Sequence, residues 1–324
     1  MSHHGWFKHN KESPVETANV ISASKVCSVT NRPLVSIGLP VYNGEKYLDA
    51  ALRSLLNQTY SNLELIICDN ASTDATQEIS LKYAVSDPRI RYYRNETNIG
   101  GANNHNLSFE YAEGKYFRWA AHDDLVAPDL IEKCVEFLEQ NPDIVLCCTD
   151  CRLIDEVSIA QEVYYCVSGS SPDVFKRFVQ LAGHHYCYEA SGLMRRDAVE
   201  QTGLFRNYPD ADRTFLVHLG LLGEFHRIAE PLFQKRRHPG MSTRVYPDEY
   251  DRYAWFGERY KYRLTPPRLV QLFHLLEIIT RSPVPISIKL KCYAYMGKWL
   301  VHRRGSFAHE IPRFWRRLIG RDKS

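Results

Sequence analysis

Short apolar runs alternate with stretches in which apolar residues recur every three or four positions. Leu34 to Val41 (L-V-S-I-G-L-P-V) reads as a strand closed by the turn Y-N-G. Glu45 to Gln58 carries Tyr47, Leu48, Ala51, Leu52, Leu55 and Leu56 at helical spacing. A second strand, Leu63 to Cys68, runs into D-N-A-S-T-D, where Ser72, Thr73 or Asp74 can cap a helix reaching about Val85. Ile90 to Tyr93 is a third strand. The turn-rich N-E-T-N-I-G-G follows, and Ala102 to Glu113 is helical until Gly114 breaks it. Tyr116 to Leu125 (Y-F-R-W-A-A-H-D-D-L) reads as a buried strand ending in two adjacent carboxylates, ahead of a helix from Pro128 to Gln140 and a strand from Asp143 to Thr149. Strand and helix in alternation predict an α/β protein with a parallel sheet.

From Asp155 to His185 the pattern weakens, leaving a Ser/Gly turn at Ser168 to Ser171 and a helix from Asp173 to Leu181. Glu189 to Val199 reads as a short strand and a helix. Asp210 and Asp212 then stand at or just before an apolar helix, Phe225 to Arg237 is a final strand, and His238 to Thr243 a loop. After Tyr246 the character changes: aromatics mix with bases, and helices are expected over Leu269 to Ile279, Ile286 to His302 and Ile311 to Ile319. The chain thus divides into a polar, mobile N-terminal arm (1–32), an α/β domain (33–245) and a helical, basic extension (246–324). The last helix can lie on an anionic membrane with Phe314, Trp315, Leu318 and Ile319 inward, or pack against protein.

Composition changes this picture little. A net charge of +3 over 324 residues, with the bases gathered near the end, excludes nucleic acid as partner of the whole chain. Nine cysteines, several inside apolar runs, suggest a reducing compartment without a disulfide framework. There is no signal peptide and no run long enough to span a bilayer, so the expected location is cytoplasmic, with peripheral attachment to the inner membrane face left open. A homo-oligomer is also left open.

The chemistry gathers at predicted strand ends: Tyr42 and Asn43, Asp69 and Asn70, Asn95 and Asn98, Asp123 and Asp124. Each alone can be turn or cap chemistry, but beyond the carboxyl ends of a parallel sheet they suggest a nucleotide site. The paired acids suit a hard divalent cation such as Mg²⁺ or Mn²⁺, or else the N-terminus of the next helix. Asp212 reads as a separate base or as a helix N-cap. Cys148-x-x-Cys151 with His184, His185 and Cys187 offers a competing zinc reading.

The stretch P-V-Y-N-G-E-K-Y-L-D-A-A-L-R-S-L-L-N-Q-T-Y-S-N-L-E-L-I-I-C-D-N-A-S-T-D-A-T resembles the opening of the family 2 inverting glycosyltransferases. N-I-G-G-A-N-N-H-N, A-E-G-K-Y, H-D-D, D-A-D-R-T-F-L and R-R-H-P-G-M-S-T follow in that family's order, so the likeness spans about Leu34 to Thr243. It implies a GT-A nucleotide-diphospho-sugar transferase fold, with a mostly parallel central sheet and helices on both faces. It divides the domain into a nucleotide-binding half (33–125) and an acceptor half (126–245).

The resemblance implies a metal-dependent inverting transfer from a nucleotide-diphosphate sugar to a saccharide or lipid-linked acceptor, in cell-surface polysaccharide or glycolipid synthesis. Pro40, Tyr42 and Asn43 would line the base and ribose pocket, Asp69 would accept from the base, and Asn98 and His105 would belong to the donor loop. Asp123 would touch donor sugar or ribose, Asp124 would bind Mn²⁺ or Mg²⁺ with His238 nearby in the loop that closes on the diphosphate, and Asp212 would be the base. In three places the chain departs from the family pattern. Ala121 stands where an acid is frequent, His105 where many members have Arg, and Ala211-Asp212 where Glu-Asp is usual, so Asp210 competes with Asp212 for the role of base. The alternatives are a non-catalytic sugar-nucleotide or glycan-binding module, and a nucleotidyltransferase, for which an early glycine-rich basic loop is missing.

Overall fold

Every residue of Val35–Val41 (β1) and Leu63–Asp69 (β2) is buried, as in strands covered on both faces. With Ile90–Arg94 (β3) and Tyr116–Trp119 (β4) they form a parallel block in the order β3-β2-β1-β4. Glu45–Leu56 (α1), Thr76–Ser86 (α2) and Gly101–Glu110 (α3) make the crossovers. Right-handed crossovers place α1 and α2 on one face and α3, after the direction reverses, on the other. The order reverses between β1 and β4, and the carboxyl ends there form the crevice in which such sheets hold ligands. The computed structural model describes residues 32–183, 186–257 and 265–318; most of the expected N-terminal arm lies outside them.

The parallel character expected of the sheet ends at β4. Leu193–Arg195 (β8) runs antiparallel to both β4 and Ile144–Ile154 (β6), which pairs in parallel with Glu224–Arg236 (β9). Leu125–Val126 (β5) and Ala160–Tyr164 (β7) add antiparallel edges, so the sheet is mixed. The strand expected over Tyr116 to Leu125 stops at Trp119. There Arg236 of β9 takes over the backbone: its Nε donates to the Asp123 carbonyl and its N–H to the Asp124 carboxylate. Strand β7 has no apolar alternation, and its first three residues are exposed, which is why its sequence reads as loop.

Among the described residues the fold gives the zinc reading no support. Cys148 and Cys151 lie on β6 on either side of an irregularity in its pairing with β9, and both are buried. The Cys148 thiol is spent on the His226 carbonyl at 3.4 Å. His184 and His185 lie outside the described residues, among which no cysteine is in a disulfide.

Leu130–Gln140 (α4), Val174–Ala182 (α5), Arg196–Glu200 (α6) and Ala211–Leu222 (α7) complete the domain, followed by Ser242–Val245 (α8), Pro267–Arg281 (α9), Ile286–His302 (α10) and Arg304–Leu318 (α11). Leu275 and Ile279 of α9 and Cys292, Met296 and Trp299 of α10 are buried in the same core cluster as the sheet, so the extension shares one core with the α/β region. No described helix is long and apolar enough to cross a membrane. On α11 Phe314 is half-buried and Trp315 exposed; the Leu318 side chain and Ile319 lie outside the described residues.

Candidate active site

The loops after β1 and β2 clasp each other. The Asn43 N–H donates to Ser72 Oγ at 3.0 Å, and Asn43 Oδ1 accepts from the Thr73 N–H at 2.9 Å. Glu45 N donates to Asp74 Oδ2 and Ala75 N to Glu45 Oε2, both at 3.0 Å. Asn43 and Ala71 adopt left-handed φ of 51° and 62°, a conformation that costs energy outside glycine and gathers at functional loops. Pro40 is buried in β1, while Tyr42 stands 45 % exposed at the mouth of the crevice.

Asp69 is fully buried. Its Oδ1 accepts from the Ser72 N–H at 2.8 Å, and its Oδ2 from the Tyr92 hydroxyl at 2.8 Å and from Arg94 Nη1 at 2.6 Å. One lone pair of Oδ1 remains. Beside it an amide chain knits β2 to the donor loop: Asn70 Nδ2 donates to Asn98 Oδ1 at 2.9 Å, and Asn95 Nδ2 donates to Asn70 Oδ1 at 3.1 Å and Asn104 Oδ1 at 2.9 Å. Gly100 has φ of 89°, and a Cβ there would meet the Phe256 carbonyl oxygen at 1.9 Å, so only glycine fits beneath the turn Asp251–Phe256. His105 donates from Nδ1 to the Gly101 carbonyl at 2.8 Å and packs against Phe205 and Trp255. Burial pulls its pKa down to about 4, so the ring is neutral and carries no charge for a diphosphate.

The two adjacent acids have different partners. Asp124 is held by protein on both oxygens: Oδ1 accepts from the Arg236 N–H at 2.9 Å, and Oδ2 from Lys235 Nζ at 3.0 Å. Asp123 Oδ2 instead lies 2.8 Å from His238 Nε2, the ring being further fixed against Tyr47. Burial works against the Asp123 charge, but Lys235, His238 and His122 outweigh it and hold the carboxyl well below the usual range. Lys235, in turn, is kept protonated despite burial by Asp124 and Asp123. No group of three or more metal-ligating side chains occurs among the described residues. The donor set at Asp123 and His238 nevertheless suits a divalent cation. A carboxylate and an imidazole side by side are donor types that Mn²⁺ or Mg²⁺ accepts.

Asp210 and Asp212 sit at the start of α7. Asp210 precedes the helix with φ of 65° and accepts from Arg268 Nη1 of α9 at 2.7 Å. Burial raises its pKa, but Arg268 and Arg213 more than reverse the effect, so Asp210 is a committed carboxylate. Asp212 lies within the first turn, partly exposed, with Oδ1 accepting from the Arg213 N–H at 2.8 Å. Burial and the neighbouring Asp210 charge push it up to about 6, as suits a group that takes a proton near neutrality. Lys235, Arg236 and Arg268 were absent from the sequence-derived site. The run K-R-R ahead of His238, inside a strand, was the available signal for the first two.

The profile described as Glycosyl transferase family 2 matches residues 36–203. An uncharacterized glycosyltransferase of Haemophilus influenzae is 31 % identical over 238 residues, 69 % of this chain and 72 % of the relative. Another from the same organism is 42 % identical over 111 residues, so this chain spans under half, 44 %, of that relative's length. Among solved structures, S. aureus TarS 1-349 in complex with UDP superposes with a TM-score of 0.60 at 18 % identity, covering 88 % of this chain and 78 % of that one. Mannosyltransferase PcManGT from Pyrobaculum calidifontis, in complex with GDP-Man and Mn²⁺, gives 0.53 at 17 % identity, covering 91 % and 77 %. These two likenesses bear on the fold, which is the α/β GT-A type. With the profile spanning half of the sequence and a relative aligned over two thirds of it, the chain belongs to glycosyl transferase family 2.

Proposed function

We propose that this glycosyltransferase moves a sugar, with inversion, from a nucleoside-diphosphate sugar to a hydroxyl of a saccharide or lipid-linked acceptor, as in cell-surface polysaccharide or glycolipid synthesis. The observation that carries the reading is the pairing of Asp123 with His238 in the crevice, apart from a second carboxyl, Asp212, tuned to about 6. Tyr42 offers an exposed ring for the nucleobase, Pro40 and Asn43 shape the base and ribose pocket, and Asp69 has one lone pair left for a base N–H. Asn98 holds the donor loop in place, and His105 supports it as a neutral packing group.

Asp123 and His238, rather than Asp124, would hold the divalent cation, because both Asp124 oxygens already serve Lys235 and Arg236. Such a cation, Mn²⁺ or Mg²⁺, supplies Lewis-acid stabilisation of the leaving diphosphate. Asp212 takes the acceptor hydroxyl's proton as that oxygen attacks the anomeric carbon and the diphosphate departs. Asp210, ion-paired to Arg268, holds Asp212 in its raised range without reacting. The test incubates the full chain with UDP- and GDP-sugars and Mn²⁺ and follows release of nucleoside diphosphate. Release that ends on chelation and is lost in His238→Ala supports the reading. Release unchanged by both overturns the cation site, and no release from any donor overturns the activity.

A further inference from the structure

Helix α10 turns two unlike faces outward and inward. Inward, Ile288, Cys292, Met296 and Trp299 join the common core. Outward, Ile286, Leu290, Ala294, Gly297 and Val301 follow one another at steps of three and four, a single stripe along one side of the helix. Ile286 is 69 % exposed, Leu290 61 % and Val301 60 %, and a Cβ built on Gly297 meets nothing within 4 Å. Scattered exposed apolar residues are ordinary, but a stripe running the length of a 17-residue helix is not. On α11, Ile311 and Trp315, four apart, are also more than half exposed.

The charges around the stripe decide what covers it. Lys291 and Lys298 flank it on one side and Lys289 on the other, although the Lys289 ammonium also donates to the Thr280 carbonyl at 2.8 Å. Arg304 and Arg316 are exposed beyond the helix end. From Ile286 to Arg316 the sequence holds one acid, Glu310, and it is buried against Arg268. Asp173, capping α5, is the acid near enough to feel Lys291. A second copy of the chain seated on this face would set lysines against lysines with no exposed acid on either helix to offset them.

We propose that the outer face of α10 seats the protein on an anionic lipid bilayer. The stripe enters the boundary between headgroups and acyl chains, and the lysines reach the lipid phosphates alongside it. This moves the membrane contact expected for the last helix chiefly onto the one before it. The inference concerns placement rather than chemistry and stands apart from the proposed transfer reaction.

The test is co-sedimentation of the full chain with vesicles of phosphatidylcholine alone and of phosphatidylcholine mixed with phosphatidylglycerol, beside the double variant Leu290→Ser/Val301→Ser. Both substituted residues are exposed, so the variant should melt with the wild type. The account expects the wild type to sediment with the anionic vesicles and not the neutral ones, and the double variant to bind them roughly tenfold more weakly. It also expects Lys291→Gln/Lys298→Gln to lose the preference for anionic lipid. Equal sedimentation of wild type and Leu290→Ser/Val301→Ser overturns the proposal, as does no sedimentation of the wild type. A wild-type dimer that this variant converts to monomer overturns it in favour of a second copy.

Discussion

The polar groups at the ends of β1 and β2 and those around Asp123 and Asp210 are held in different ways. At the ends of β1 and β2 the groups are secured by neighbours from nearby strands and loops: Asn43 by the loop thirty residues on, Asp69 by Ser72, Tyr92 and Arg94, and Asn70 by Asn95 and Asn98. Around Asp123 and Asp210 the partners come from far along the chain. Asp123 meets His238 across 115 residues, and Asp210 meets Arg268, beyond the α/β domain, across 58. A binding crevice knitted locally is largely preformed. A reaction centre assembled from distant elements depends on the whole fold, including its C-terminal helices.

The sharpest way to separate the two regions is Asp212→Asn. Transfer should fall about a hundredfold to ten-thousandfold while affinity for a nucleoside diphosphate stays unchanged, measured by turnover and by calorimetric titration. A parallel loss of affinity would mean that the two regions are one site. Next, Arg268→Leu leaves Asp210 and Glu310 without their buried cation. The expected cost is about 3 kcal/mol of stability in denaturant unfolding, together with lost turnover. Near-wild-type stability would show that the extension is not needed to hold the reaction centre.

A smaller effect is expected from pH. Asp212 must be deprotonated to accept a proton, so the rate of transfer should rise as pH increases through about 6 and level off above it. Asp210→Asn removes the neighbouring negative charge that helps raise Asp212, so the rising limb should move to lower pH with the plateau largely kept. A plateau lost altogether would identify Asp210 as the base. The smallest change is expected from Asn70→Ala, which removes one member of the donor-loop amide chain. It should cost about 1 kcal/mol in thermal unfolding and weaken nucleotide binding without touching the pH profile.

What could be read from the sequence follows the same division. Alternating apolar periods located β1, α1, β2, α2, β3 and α4 to within a few residues because burial on one face writes itself into spacing. Turn chemistry placed Asn43, Asp69 and Asn98 at the strand ends for a similarly local reason. Periodicity carries no record of which distant residue a side chain meets. Asp123 and Asp124 are therefore equivalent in sequence and become different only when β9 brings Lys235 and Arg236 to one of them and His238 to the other. The change from parallel to mixed sheet at β8, and the reach of Arg268 into the base motif, escaped for the same reason. The resemblance to the glycosyltransferases supplied the roles, and the proposal above divides them differently between the two adjacent acids.

Which of the two acids holds the cation is tested most directly by thermal unfolding of the wild type, Asp123→Asn and Asp124→Asn in UDP or GDP, with and without Mn²⁺. A ligand that binds the native state raises its apparent stability. Wild type should gain a Mn²⁺-dependent rise in Tm with the nucleotide it recognises. Asp123→Asn should lose that rise, and Asp124→Asn should keep it. A rise lost in Asp124→Asn and kept in Asp123→Asn would contradict the account.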